Sequence, residues 1–219
     1  VYGHHKNVGL PEDPATGKRG ENIYLFIVKA IAKEQVGGWG IEISRLRRIG
    51  LNSISLHNRM IIGYIRSLIL TIIALVIGGA SGMFFFILLA ILSKSLLEGI
   101  NYIEHYGLVR EKGKPVLMRH SWNSNHSLSN LTLFNLERHS DHHANPTRSY
   151  QSLRDFPDIP RLPNGYFGMY LLAYVPRLWF KVMDQRVLDL PHVNGDLTKV
   201  NIDPIKVEHY QALFGQEPK

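Results

Sequence analysis

The longest apolar stretch covers residues 67–93, a run of 27 without a charged side chain. One tilted helix of that length would cross the ~30 Å hydrocarbon layer of a bilayer. Its centre, however, reads Gly78-Gly79-Ala80-Ser81-Gly82, where a turn is easiest. Extending outward from that centre gives two spans, 60–79 and 82–101, each near the roughly 20 residues a crossing helix needs. The pattern therefore predicts a helical hairpin. Arg66 lies near one end of the first span and can snorkel. Lys94 and Glu98 form an i, i+4 pair in the second. Arg45, Arg47, Arg48 and Arg59 precede the hairpin, Arg110, Lys112, Lys114 and Arg119 follow it, and the turn carries no charge. Basic residues collect on the cytoplasmic side, so both ends are expected there.

Elsewhere the periodicity is helical or absent. Residues 6–21, rich in Pro, Gly and charge, read as a loop. Ile23, Phe26, Ile27, Ala30 and Ile31 make one apolar stripe, which predicts a helix over 22–35. Gly37, Gly38 and Gly40 are expected to interrupt it before a second, charged helical stretch. Residues 130–136 contain no Gly or Pro and read as a helix running into 137–144, where Asn145-Pro146 ends it. Residues 166–182 are apolar and aromatic but hold Pro176, which predicts an interfacial or packed helix rather than a span. From 184 to 219 the chain reads as a polar tail. The fold class is all-α: a membrane-embedded helical bundle, here a transmembrane hairpin, with a cytoplasmic His-rich helical domain.

Composition narrows the chemistry. Cysteine is absent, which excludes disulfides, thiolate ligands and iron–sulfur clusters in this segment. The formal net charge is +7. No nucleic-acid motif accompanies it, and the basic residues flank apolar segments, so a membrane surface and an acidic partner account for it better.

Histidines carry the candidate chemistry. His139, His142 and His143 stand at i, i+3 and i+4, one helical face. Neutral imidazole is the commonest nitrogen ligand for iron, zinc and copper. His4-His5 and Glu104-His105 add two further groups, far apart in sequence and outside the apolar spans. Glu104 and Asp141 adjoin these histidines, where a carboxylate fixes a ring's tautomer or forms a surface ion pair. His120 and His126 fit no histidine box; hydrogen bonding or support behind the ligands is expected of His126. His57, His192 and His209 read as surface residues.

These motifs resemble those of the integral-membrane alkane 1-monooxygenases, within the membrane fatty acid desaturase and hydroxylase superfamily. Asn101-Tyr102-Ile103-Glu104-His105-Tyr106-Gly107 matches that family's NYxEHYG without a mismatch. Leu136-Glu137-Arg138-His139-Ser140-Asp141-His142-His143-Ala144 matches LQRHSDHHA with Glu137 in place of Gln. Val1-Tyr2-Gly3-His4-His5 matches the tail of EHxxGHH. The likeness continues through residues 147–187. It implies that His4, His5, His105, His139, His142 and His143 bind two non-haem irons. It also implies that electrons come from rubredoxin, with rubredoxin reductase, and that O2 and an alkane are the substrates. The setting it implies is the bacterial inner membrane, with the metal site on the cytoplasmic side. The family's HExxHK box and first helices have no counterpart here, so the sequence is expected to be the C-terminal part of a longer protein.

On this reading residues 1–58 form a cytoplasmic segment with the tail of the second histidine box. Residues 59–104 form the hairpin, 105–187 the metal-binding domain and 188–219 a tail. Two other classes remain: a xylene-type methyl hydroxylase or desaturase of the same superfamily, and a non-enzymatic membrane metal-binding protein.

Overall fold

The computed structural model describes residues 3–214. Val1 and Tyr2 of the first motif, and the last five residues of the expected tail, lie outside the described residues. Among the described residues there are helices and two isolated bridges, and no strand. The helices are α1 (His4–Asn7), α2 (Ile23–Arg48), α3 (Arg59–His105), α4 (Ser127–Thr132), α5 (His139–Ala144), α6 (Tyr166–Ala173), α7 (Pro176–Leu188) and α8 (Val207–Phe214).

The long apolar element α3 is interrupted at Gly79, with φ +62° and ψ −159°, a conformation that glycine alone adopts without strain. The chain reverses there. Tyr64, in the first arm, donates to Gln35 of α2 at 2.8 Å, and Lys94, in the second, pairs with the adjacent Glu34 at 2.5 Å. Were α3 straight, Tyr64 and Lys94 would lie ~45 Å apart. At the turn a Cβ on Gly82 would come within 2.6 Å of the Ala74 carbonyl oxygen, so the two arms meet backbone to backbone. The most apolar window of α3 has a mean hydropathy of 2.5 and buries none of its residues inside the chain. A surface this apolar and this extensive needs a lipid environment. The architecture is a membrane-embedded helical bundle carrying a His-rich helical region.

Helix α2 is longer than its pattern predicts. Its N-terminal stripe is as read: Ile23, Phe26, Ile27 and Ala30 are buried. The three glycines do not interrupt it. A Cβ on Gly38 would lie 3.1 Å from Met60 Sδ, so the missing side chain lets α2 approach the first arm of α3, contact that outweighs glycine's cost of about 1 kcal/mol in a helix. Glu42 fixes the joint between the two helices, accepting from Arg45 at 2.7 Å and from the Arg59 backbone N–H at 3.0 Å.

The core lies beyond the hairpin's open end. Tyr102, Ile103, Tyr106, Trp122, Tyr166, Met169, Trp179 and Met183 pack there with the N-terminal half of α2. The aromatic segment 166–182 is two helices rather than one, because Pro176 starts α7. The polar tail also departs from expectation. Leu188, Leu190, Val193 and Val200 join the core. Tyr210 of α8 donates to Asp184 at 2.6 Å, beside Tyr106, which donates to the same carboxylate at 2.7 Å. Loop apolar residues and a helix of only 8 residues carry no long periodicity, which is why the sequence pattern misses this packing.

A candidate metal centre at the hairpin's open end

The helix expected to run unbroken into the histidine cluster is broken. Helix α4 ends at Thr132, and Phe134 and Asn135 take φ values of +53° and +59°. The Asn135 N–H closes on the Asn130 carbonyl at 2.9 Å, a left-handed helix ending that Asn tolerates. A new short helix, α5, then begins at His139. It is pinned on several sides. Ser140 Oγ donates to the Ser121 carbonyl at 2.9 Å, and Arg138 Nη1 to the Leu153 carbonyl at 2.8 Å.

One turn of helix is enough to give the predicted shared face. The His139 and His143 rings are 4.4 Å apart, His139 and His142 5.5 Å, and His142 and His143 5.4 Å. Helix α1 brings His4 to 4.9 Å from both His105 and His143, and His5 to 4.9 Å from both His142 and His143. The end of α3 places His105 5.2 Å from His139. Side-chain nitrogens of His4, His105, His139 and His143 lie within 4.8 Å of one another. His5 and His142 stand beside this group of four, facing each other.

Partners behind the rings set their orientation. His105 Nδ1 lies 3.1 Å from the His120 carbonyl oxygen, so it carries the proton, and its buried Nε2 is left without a partner. His4 Nδ1 lies 2.8 Å from Asp13 Oδ2, and its Nε2 is likewise buried and unpartnered. Glu104 Oε2 lies 3.1 Å from His139 Nε2, which is itself 2.7 Å from His143 Nε2. Burial, then the neighbouring His105, holds His139 well below the ordinary histidine range; burial and then His139 do the same to His143. Burial and then His142 bring His5 to about 4. The His5, His139 and His143 rings are thus neutral at physiological pH, as ligands must be. Buried imidazole nitrogens converging without partners, with one carboxylate among them, fit a divalent transition metal.

Two carboxylates depart from the sequence reading. Asp141, expected beside the rings, makes none of its hydrogen bonds to a histidine among the described residues. It accepts from Arg148, from Asn145 at 2.8 Å and from the Arg154 N–H at 2.8 Å, and so ties down the following loop. Burial pushes its carboxyl up, but these bonds outweigh that and leave it lowered. Asp13, read only as part of a loop, is the residue the sequence analysis missed. Its position two residues before Ala15 and three before Thr16, to which it bonds at 3.4 and 2.7 Å, is a local turn signature; nothing local points to His4. Glu137, also buried, accepts from the backbone N–H groups of His126 and Tyr166 at 3.0 and 2.5 Å. His126, His57 and His209 are exposed and away from the cluster, whereas His192 is half-buried.

The sequence matches the fatty acid desaturase family over residues 2–182. It is 45% identical to alkane 1-monooxygenase 1 of Alcanivorax borkumensis, over 97% of this chain and 54% of that protein. Identity is also 45%, with the same coverage of both, to alkane 1-monooxygenase of Ectopseudomonas oleovorans. The hydroxylase component of xylene/toluene monooxygenase from Pseudomonas putida is 32% identical over 84% of this chain and 49% of that protein. The chain spans about half the length of the curated relatives it matches. With that match covering all six clustered histidines and both arms of the hairpin, the chain belongs to the fatty acid desaturase family.

Proposed function

We propose that this chain is the metal-binding part of a membrane non-haem diiron monooxygenase that converts alkanes to 1-alkanols with O2 and electrons from rubredoxin. The observation that carries this reading is the convergence of histidines from three distant segments at the open end of an apolar hairpin. Six imidazoles exceed what one zinc takes, and the absence of Cys disfavours softer metals. His4, His5, His105, His139, His142 and His143 would hold the two irons, with Glu104 beside His139. The bound irons would supply O2 activation; one oxygen atom enters a terminal C–H bond, and the other leaves as water with two electrons and two protons.

The chain's own residues position and insulate. Asp13 and the His120 carbonyl keep the Nδ1 protons of His4 and His105 and aim each Nε2 inward. Burial excludes water from His105, His139 and His143. The exposed apolar arms keep the site beside the bilayer, where an alkane partitions. Basic residues at both ends of the hairpin favour a cytoplasmic site in a bacterial inner membrane. Residues 1–58, 59–104, 105–187 and 188–219 remain our division of the chain, with the last part packed onto the third as far as it is described.

The names of the relatives that are 45% identical favour alkanes over aromatic methyl groups; the relative that is 32% identical keeps the latter as the second reading. The full-length protein, supplied with rubredoxin, rubredoxin reductase and NADH, should form 1-octanol from octane. Methylbenzyl alcohol from xylene with no octanol would favour the second reading, and no O2-dependent product from either would reject both.

A further inference from the structure

A cavity of about 600 Å³ lies behind the histidine cluster, lined by Arg110, Lys114, Arg119, His120, His192 and Lys199, with Glu111 and Thr198 at its wall. Four permanent cations face one carboxylate there. The Arg110 guanidinium is already committed to backbone carbonyls, at 2.7 Å to Val8 and 2.5 Å to Lys114. Lys114, Arg119 and Lys199 are exposed and free to meet a partner, apart from a 3.4 Å contact between Lys199 and Asp196. The field is felt locally: burial, then Arg119 and Lys199, hold the His192 ring below its ordinary range.

This cavity is joined to the cluster through one residue. The His120 ring lines it, with Nδ1 accepting from the Leu117 N–H at 3.0 Å. The His120 carbonyl accepts from His105 Nδ1 at 3.1 Å, and His105 Nε2 is among the unpartnered nitrogens at the cluster. One residue and one hydrogen bond thus separate a basic surface cavity from a ring of the candidate metal centre. We propose that this cavity is the docking site of an acidic one-electron carrier protein, and that electrons enter through His120 and His105. The inference rests on the monooxygenase reading, which needs two electrons per turnover from outside the chain; each docked carrier is oxidised by one electron. Complementary charge speeds and orients such encounters more than it tightens them.

The test is charge reversal in the full-length enzyme. Lys114→Glu, Arg119→Glu and Lys199→Glu together should raise the apparent KM for reduced rubredoxin at least about tenfold and flatten its dependence on ionic strength. Iron content should match wild type, and the milder Arg119→Gln should shift KM in the same direction. Lys206→Glu, which does not line this cavity, should leave the rubredoxin KM unchanged. An unchanged KM and salt dependence in the iron-replete triple variant would overturn the docking site, as would an effect confined to binding of anionic lipid vesicles. Octanol formation by the wild type tests the monooxygenase reading separately, and rubredoxin binding to wild type and variant tests the docking site even if no octanol forms.

Discussion

Asp13 Oδ2 and His4 Nδ1 lie 2.8 Å apart, with the carboxylate buried and also bonded to Thr16. The pairing gives His4 one tautomer and points its free Nε2 into the cluster. Burial raises the Asp13 carboxyl, yet the bonds from His4 and Thr16, with the neighbouring His4 and His105 rings, together outweigh it and leave the group lowered. Asp13→Ala removes the acceptor, and the ring is then free to turn or change tautomer. The expected loss in metal affinity is about 10–100-fold, read as iron retained after dialysis against a chelator. Asp13→Asn, which keeps an oxygen acceptor, should lose less. Iron retention equal to wild type in Asp13→Ala would remove Asp13 from the account.

The hairpin turn makes a structural prediction. Gly82→Leu cannot be accommodated without moving the Ala74 backbone, since even a Cβ would reach 2.6 Å from its carbonyl oxygen. Its thermal midpoint in detergent should fall clearly below wild type. Gly63→Ala, where nothing lies within 4 Å, should be neutral or gain up to about 1 kcal/mol from helix propensity. Equal midpoints for Gly82→Leu and wild type would contradict the close approach of the arms.

The same turn fixes topology. Cysteines substituted for Arg48 and Lys112 should react with an impermeant thiol reagent from one side of the membrane. Labelling from opposite sides would require a single span and would separate His4 and His5 from the other four histidines.

Much of this was legible beforehand, for particular physical reasons. Gly78 to Gly82 and the basic flanks told of a turn because lipid tolerates neither stray charge nor open backbone. The face shared by His139, His142 and His143 followed from 3.6 residues per turn, and it survives although the helix feeding it is broken at Phe134 and Asn135. Asp13 was not legible, because its link to His4 depends on how a loop closes, which no periodicity records. Nor was the return of Tyr210 to Asp184, a contact spanning 26 residues of mostly irregular chain. Asp141 looked like a partner of the rings by adjacency alone, and its side chain points instead to Arg148 and Arg154.

Acid should destabilise the metal-free protein. His5 and His120 sit at about 4, His120 through burial and then Arg119, and burial also lowers His142 and His192. Unfolded, each would titrate near 6.5, so below that pH the unfolded chain binds more protons than the folded one. These groups cost nothing above pH 6.5. Their penalty grows as pH falls from about 6.5 toward 4 and is complete below the folded values. Denaturant midpoints of chelator-treated protein should therefore decline across that window and hold steady from pH 7 to 8. A flat profile from 7 to 4 would contradict neutral, buried rings.

Whether the converged histidines hold the metal is read from iron per chain in full-length His143→Ala beside His209→Ala. His143 touches His4, His5, His105, His139 and His142, whereas His209 lies exposed on α8. Alanine preserves the helix, so both variants should insert and fold. His209→Ala should keep wild-type iron, and His143→Ala should lose bound iron, with octanol formation reduced at least about 10–100-fold. Wild-type iron and turnover in His143→Ala would contradict a metal-holding role for the cluster.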